Sequence, residues 1–247
     1  MEKSNKLIMV VGGSGGIGSE IARSFLLAGN RVCVTYYQNK QKTEELLSQF
    51  NDSCFAYQMN LRDEQQVGEI FKQAIEEHGS FDTIVFAPTG AVRPGQLTQK
   101  KWEDFDEHLT VQVKGLFLLA QHAILKKKQT SKLKFVVVVT ECCIGTPPSS
   151  LSDYITAKYA LLGLAKSLAV EAVKYNCTVN MISPGMVDTN LLKNLPPKLL
   201  EMVALKNPLK RLATPQDVAS VALFLASDEA GYLNGVNIVV NGGNVMV

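Results

Sequence analysis

The chain has 247 residues, 46% of them hydrophobic and 19% charged, with a formal charge of +2. That length and balance fit one α/β domain with a substantial core and leave no room for extended disorder. The weak net charge argues against nucleic acid as a partner. Five cysteines, Cys33, Cys54, Cys142, Cys143 and Cys177, show no C-x-x-C spacing and read as reduced thiols, with neither a disulfide framework nor a metal site.

The N-terminal residues Met1–Lys6 lead into the apolar run Leu7–Val11, which is too short for a signal-peptide core or a membrane span. A cytoplasmic protein with no membrane partner is expected. Apolar β-rich runs at Leu7–Val11, Arg31–Tyr36, Cys54–Gln58, Thr83–Phe86, Phe135–Thr140, Thr178–Ile182 and Asn237–Val240 read as seven strands. Their unbroken apolar character suits strands covered on both faces. Helical patterns fall between them at Ile17–Leu27, Lys40–Gln49, Glu64–His78, Trp102–Lys126, Tyr154–Tyr175 and Pro215–Ser227. Thr214-Pro215-Gln216-Asp217 carries a helix-start signature, with a capping hydroxyl, a first-position proline and an early acid. Strand–helix alternation predicts a single α/β domain built on a doubly wound parallel sheet of seven strands, the Rossmann fold. Residues 183–211, with Pro184, Pro196, Pro197 and Pro208, form the one long irregular stretch and read as a substrate lid.

Gly12-Gly13-Ser14-Gly15-Gly16-Ile17-Gly18 lies between the first strand and the first helix. Glycine there lets the backbone turn sharply and approach a pyrophosphate, while the amides opening the helix face the anion. The second strand ends Val34-Thr35-Tyr36-Tyr37, with no carboxylate to grip a ribose 2′-hydroxyl. That favours NADP(H) over NAD(H), with Lys40 or Lys42 within reach of a 2′-phosphate; both lysines also read as solvated residues opening a helix.

Tyr154 and Lys158 sit one turn apart on a predicted helix, so phenol and ammonium can converge. A nearby cation stabilises phenolate and lowers the tyrosine pKa, which suits proton transfer to a carbonyl oxygen as hydride arrives. Here the chain resembles the short-chain dehydrogenase/reductase family, and within it the 3-oxoacyl-thioester reductase-like members. Gly12, Gly16 and Gly18 match its glycine motif, Tyr154 and Lys158 its catalytic pair, and Ser183 to Thr189 its P-G-x-x-x-T segment. Pro215–Ala219, Phe224–Ser227 and Gly235 through Gly243 resemble its C-terminal third. The resemblance implies a ketone or β-ketoacyl thioester reductase, free or carrier-bound substrate, and a homotetramer formed through the Trp102 and Tyr154 helices and the C-terminal segment. It also implies a cofactor-binding set of Gly12, Ser14, Gly16, Ile17, Gly18, Tyr36, Asn60, Leu61, Ala87, Gly90, Tyr154, Lys158, Pro184, Gly185, Val187 and Thr189.

Several family positions are changed. Glu141 stands thirteen residues before the tyrosine, where a serine usually bonds the substrate carbonyl; aligning on Gly145 puts Cys142 there instead. Gln112 replaces the helix asparagine, Ala87-Pro88-Thr89-Gly90 replaces N-N-A-G, Asn60 replaces the adenine-side aspartate, and Val11 opens the glycine motif in place of threonine. Two readings follow: an enzyme adapted to an unusual substrate, with Tyr154, Lys158, Gln112, Cys142 and Glu141 at its catalytic positions, or a cofactor-binding subunit with weakened chemistry. A non-redox use of the fold, such as dehydration, is a third.

A nucleophilic role for Cys142 is disfavoured by the adjacent Glu141. His78, His108 and His122 read as small packing residues in helices, and three histidines without a ligand pattern give no metal site. The basic run Lys126-Lys127-Lys128, with Lys132 and Lys134, reads as a solvated helix end; the resemblance offers the alternative of docking an acidic acyl-carrier protein there, with Lys174. Leu191, Leu192, Leu195, Leu199, Leu200, Met202 and Val203 suggest either an apolar substrate arm or the packing of a small helix.

Overall fold

The computed structural model describes residues 5–127, 131–192 and 195–246. Residues 1–4, Lys128 of the basic run, and residues 193–194 of the irregular stretch lie outside the described residues. The strands are β1 (Leu7–Val11), β2 (Arg31–Tyr36), β3 (Cys54–Gln58), β4 (Thr83–Phe86), β5 (Leu133–Val138), β6 (Cys177–Pro184) and β7 (Asn237–Val240). All pair in parallel in the order β3-β2-β1-β4-β5-β6-β7. The direction of winding reverses between β1 and β4, and the crevice at their C-terminal ends is where such sheets bind ligands.

Helices α1 (Gly16–Leu27), α2 (Gln41–Gln49) and α8 (Pro215–Ala226) cover one face, and α3 (Glu64–His78), α5 (Gly115–Lys126) and α6 (Ser152–Glu171) the other. Alternation along each strand feeds both cores. Leu7, Met9 and Val11 of β1 pack with Phe71, Leu116 and Leu161, whereas Ile8 and Val10 pack with Ile21, Phe25 and Val218. Burial on both faces explains why the strands are apolar throughout rather than alternating. The start of α8 forms the capping box that its sequence suggests: the Thr214 hydroxyl accepts from Asp217 N–H, and the Asp217 carboxylate accepts from Thr214 N–H.

Four boundaries differ from expectation. β5 ends at Val138 rather than at residue 140, because Thr140 turns to cap the short helical turn Glu141–Cys143. The helix expected over Trp102–Lys126 is interrupted: α4 (Trp102–His108) passes into a widened π-type turn, Leu109–Lys114, before α5 begins. Such a turn inserts an extra residue into the helical repeat and is often found at functional sites. Helix α6 stops at Glu171; a short turn, Val173–Tyr175, follows, and Asn176 adopts a left-handed conformation that breaks the rod. Finally, the 183–211 stretch is not irregular throughout, since it contains α7 (Pro197–Lys206) with proline at its first position. No helix among the described residues is long and apolar enough to cross a membrane.

Candidate active site

The glycine turn follows β1 directly. Gly12 has φ of +81°, and a Cβ there would come within 2.9 Å of Pro88 Cα and N. A Cβ on Gly18 would lie 2.2 Å from the Gly12 carbonyl oxygen, so the helix start packs on the turn with no space for a side chain. The threonine missing at Val11 has a substitute on the neighbouring strand. Buried Thr35 offers its Oγ1 to Gly12 N–H at 3.4 Å and its carbonyl to Gly13 N–H at 2.9 Å.

A cleft of about 560 Å³ opens at the C-terminal ends of β1, β2 and β4. Its lining includes Gly12, Ser14, Tyr36, Asn60, Leu61, Ala87 and Gly90, seven residues of the sequence-derived cofactor set. Glu107 stands at the same cleft between Arg62 at 3.2 Å and Arg93 at 3.1 Å. Lys40 does not line the cleft and pairs with Glu44 along α2 at 2.8 Å. Lys42 reaches back to the Ser19 hydroxyl of α1 at 3.5 Å. A backbone that no side chain can enter, opening at a helix start beside a cleft of this size, fits the phosphates and nucleoside of a dinucleotide.

The remaining cofactor candidates lie on the far side of the turn. Thr189 packs its side chain against Gly16, where a Cβ would come within 2.6 Å of Thr189 Cγ2. Pro184 closes β6, its carbonyl-side neighbour Gly185 donates N–H to Val240 O at 2.9 Å, and Val187 bridges to Ala213. Gly185 belongs to a second cavity, of about 340 Å³, which Glu141, Met186, Val203, Asn207 and Asn244 also line. Ile17 is half-buried in the first turn of α1.

Tyr154 and Lys158 are brought together as their spacing suggests, with the ammonium 5.7 Å from the centre of the phenol ring. Lys158 is 3% exposed and donates to the Val138 carbonyl at 3.0 Å. Burial pulls its pKa down to about 8. Burial also raises the Tyr154 pKa, against the expected lowering by the lysine, because desolvation of phenolate outweighs every favourable contact. The phenol is therefore held as an acid.

The side chain that most opposes this rise is Thr140, whose hydroxyl acts on the phenol and which the sequence reading did not single out. Its hydroxyl is buried and accepts from Cys142 N–H at 3.4 Å. Glu141 turns the other way, into the second cavity, where Asn244 Nδ2 lies 3.2 and 3.3 Å from its two oxygens. Burial raises the thiols of Cys142 and Cys143, the latter to about 11, so both stay protonated at neutral pH. Gln112 is fully buried in the widened turn.

Two expectations about basic and ring groups change. Lys134 does not belong to a surface patch: it is buried on β5 and donates to the Ser227 carbonyl. The histidines are not mere apolar packing. His78 stacks on Phe55 and bonds the Tyr57 hydroxyl at 2.7 Å, and buried His108 bonds Gln112. His122 alone fits the packing role, against Gly68 and Phe71. Among the described residues no three His, Cys, Asp or Glu side chains cluster to hold a metal.

A parallel sheet of this strand order, with a glycine turn after its first strand, defines a doubly wound α/β protein of Rossmann type. A family model described as enoyl-(acyl carrier protein) reductase matches residues 12–244. The chain is 32% identical over 250 residues to the 3-oxoacyl-[acyl-carrier-protein] reductase FabG of Staphylococcus aureus (strain Mu50), covering 99% of this chain and 100% of the relative. It is also 32% identical over 257 residues to an uncharacterized oxidoreductase of Thermotoga maritima, with 100% of both chains covered. The fold of a dehydrogenase/reductase from Sinorhizobium meliloti 1021, seen by crystallography, matches with a TM-score of 0.90 at 24% identity, over 98% of this chain and 96% of that one. The chain belongs to the short-chain dehydrogenase/reductase family, a family of oxidoreductases.

Proposed function

We propose that the protein is an NADP(H)-dependent reductase of a ketone or β-ketoacyl thioester, with Tyr154 as proton donor. The observation that carries this reading is the pairing of half-buried Tyr154 with buried Lys158, 5.7 Å from ammonium to ring centre, in a chain whose glycine turn opens a dinucleotide-sized cleft. A bound dihydronicotinamide would supply the hydride to the carbonyl carbon. The proton comes from the Tyr154 hydroxyl, which burial keeps protonated and so suits the reductive direction. Lys158 adds positive charge beneath the phenol and offsets the phenolate left after transfer. Thr140, whose hydroxyl acts on the phenol, offers the hydroxyl that the family serine would supply, while Glu141 lines the second cavity.

The absence of a carboxylate at the β2 end of the cleft supports NADP(H). Lys42 is the better placed of the two lysines, since its ammonium already contacts the first turn of α1. The relatives named as acting on acyl-carrier-protein substrates support a thioester as one substrate form. Apolar residues exposed on the elements expected to assemble, Trp102, Phe117, Tyr159 and Val170, support a homotetramer. The alternative of a cofactor-binding subunit without turnover draws on the displaced serine.

Nicotinamide fluorescence titration with NADPH and NADH tests the cofactor, and ketone-dependent NADPH oxidation by the wild type and Tyr154→Phe tests the chemistry. Micromolar NADPH binding with turnover abolished only in the variant is expected. NADPH oxidation that survives Tyr154→Phe overturns the mechanism.

A further inference from the structure

Beside Tyr154 lies a buried polar cluster that the reading above leaves unused. His108 ends α4, is 2% exposed, and meets the Tyr154 ring edge-on with centroids 5.8 Å apart at 74°. Its Nδ1 lies 3.2 Å from Gln112 Nε2. An amide nitrogen only donates, so this Nδ1 accepts and the ring proton is assigned to Nε2. Gly90 makes room for the imidazole: a Cβ there would come 3.1 Å from Nδ1 and 3.2 Å from Cε1.

Asp153, the residue before Tyr154, pairs with Lys100 at 2.6 Å, and the two side chains are only 4% and 5% exposed. Lys100 donates in addition to the Arg93 carbonyl at 2.5 Å, at the rim of the cofactor cleft. Two oxygens of the cluster, Gln112 Oε1 and Asp153 Oδ1, are buried and accept no hydrogen bond from the described residues. Each such acceptor costs roughly 1–3 kcal/mol unless satisfied, and an ordered water is the usual remedy.

We propose that His108 is a positioning residue for Tyr154, its neutral imidazole packed edge-on against the phenol ring and fixing the Gln112 amide behind it. The inference rests on Tyr154 being the proton donor. Burial holds the His108 pKa below its ordinary value despite the facing carboxylates of Asp153 and Glu107; the ammoniums of Lys100 and Lys158 act in the same direction as burial. Protonation at acid pH places a proton on Nδ1 against the Gln112 amide donor, so the contact breaks and Tyr154 loses its support.

The test compares the wild type with His108→Phe and His108→Asn in the full chain, after circular dichroism confirms folding. Asparagine keeps an acceptor near the Nδ1 position but does not titrate. Ketone reduction with NADPH is followed from pH 5 to 9, with NADPH affinity measured separately. The phenylalanine variant should lose about 10-fold or more in kcat with NADPH affinity unchanged. The asparagine variant should recover most of kcat and show no acid-limb inflection. A wild-type kcat and pH profile in His108→Phe overturns the proposal, as does an acid limb that persists in His108→Asn. Tyrosine labelled with ¹³C at Cζ gives a readout independent of turnover. The Tyr154 signal, assigned through Tyr154→Phe, should move in His108→Phe and return in His108→Asn; an unmoved signal also overturns the proposal. If NADPH binds but no ketone is reduced, the reductase reading fails, and the Cζ signal alone then decides the place of His108.

Discussion

The Thr140 hydroxyl acts on the Tyr154 phenol against the effect of burial, from a position two residues past the end of β5 and one before Glu141. A family serine bonds the carbonyl from just this neighbourhood, so the chain has kept a hydroxyl beside its phenol while losing the serine. Thr140→Val keeps the shape and removes the donor. Loss of one positioned donor typically costs about 100-fold or more in rate. Steady-state kinetics should therefore show kcat reduced by about that factor in Thr140→Val and largely retained in Thr140→Ser. Equal loss in both would assign the effect to packing rather than to the hydroxyl.

Glu141 points into the second cavity and is held by Asn244, away from the phenol. It leaves no second hydroxyl at the reacting carbonyl. Glu141→Ser should restore one and raise kcat on a small neutral ketone by about 10-fold. The check is kcat and KM together. A fall in kcat/KM on that ketone would show that the carboxylate itself holds the substrate.

The fold was legible because it rests on short-range pattern. Seven apolar runs such as Phe135–Val139 gave the strands, and the Thr214–Asp217 capping box marked the start of α8. Glycines at 12, 16 and 18 and the Tyr154–Lys158 spacing marked the candidate site, since each depends on neighbours within one turn. The missed features are contacts between distant segments. Thr35 supports the glycine turn from another strand, and the His108–Tyr154 contact joins α4 to α6. The widened turn at Leu109–Lys114 was equally invisible, because one extra residue barely alters an apolar periodicity. The direction of the Tyr154 shift was misread for a related reason: spacing reveals the cation but not the depth of burial around the phenol.

Lys158 exposes the conflict between stability and function. Its only hydrogen bond to the described residues goes to the Val138 carbonyl, and no carboxylate among them pairs with it. Burial lowers its pKa to about 8 from an ordinary 10.5. Between these values the unfolded chain binds more protons, so this group's contribution to stability rises as pH rises from 8 to 10.5 and is flat and unfavourable below. Lys158→Met should abolish turnover and raise Tm at pH 7, by about 2–4 °C for each kcal/mol of charge burial relieved. Thermal unfolding at pH 7 and 9.5 checks the sign: the advantage of the variant should shrink at the higher pH.

The glycine turn allows strain and cofactor contact to be separated. At Gly12 a side chain meets both a positive φ of +81° and Pro88 backbone at 2.9 Å, whereas at Gly79, with φ of +100°, a Cβ would find nothing within 4 Å. Both alanine variants pay for the left-handed backbone, a cost on the order of 1–3 kcal/mol. Only Gly12→Ala must also move the loop that opens α1. Thermal melts should show both variants destabilised, and NADPH titration should show affinity reduced about 10-fold or more in Gly12→Ala alone. Equal affinity in the two would mean that the turn after β1 does not hold the cofactor phosphates, and the dinucleotide reading of the cleft would fall with it.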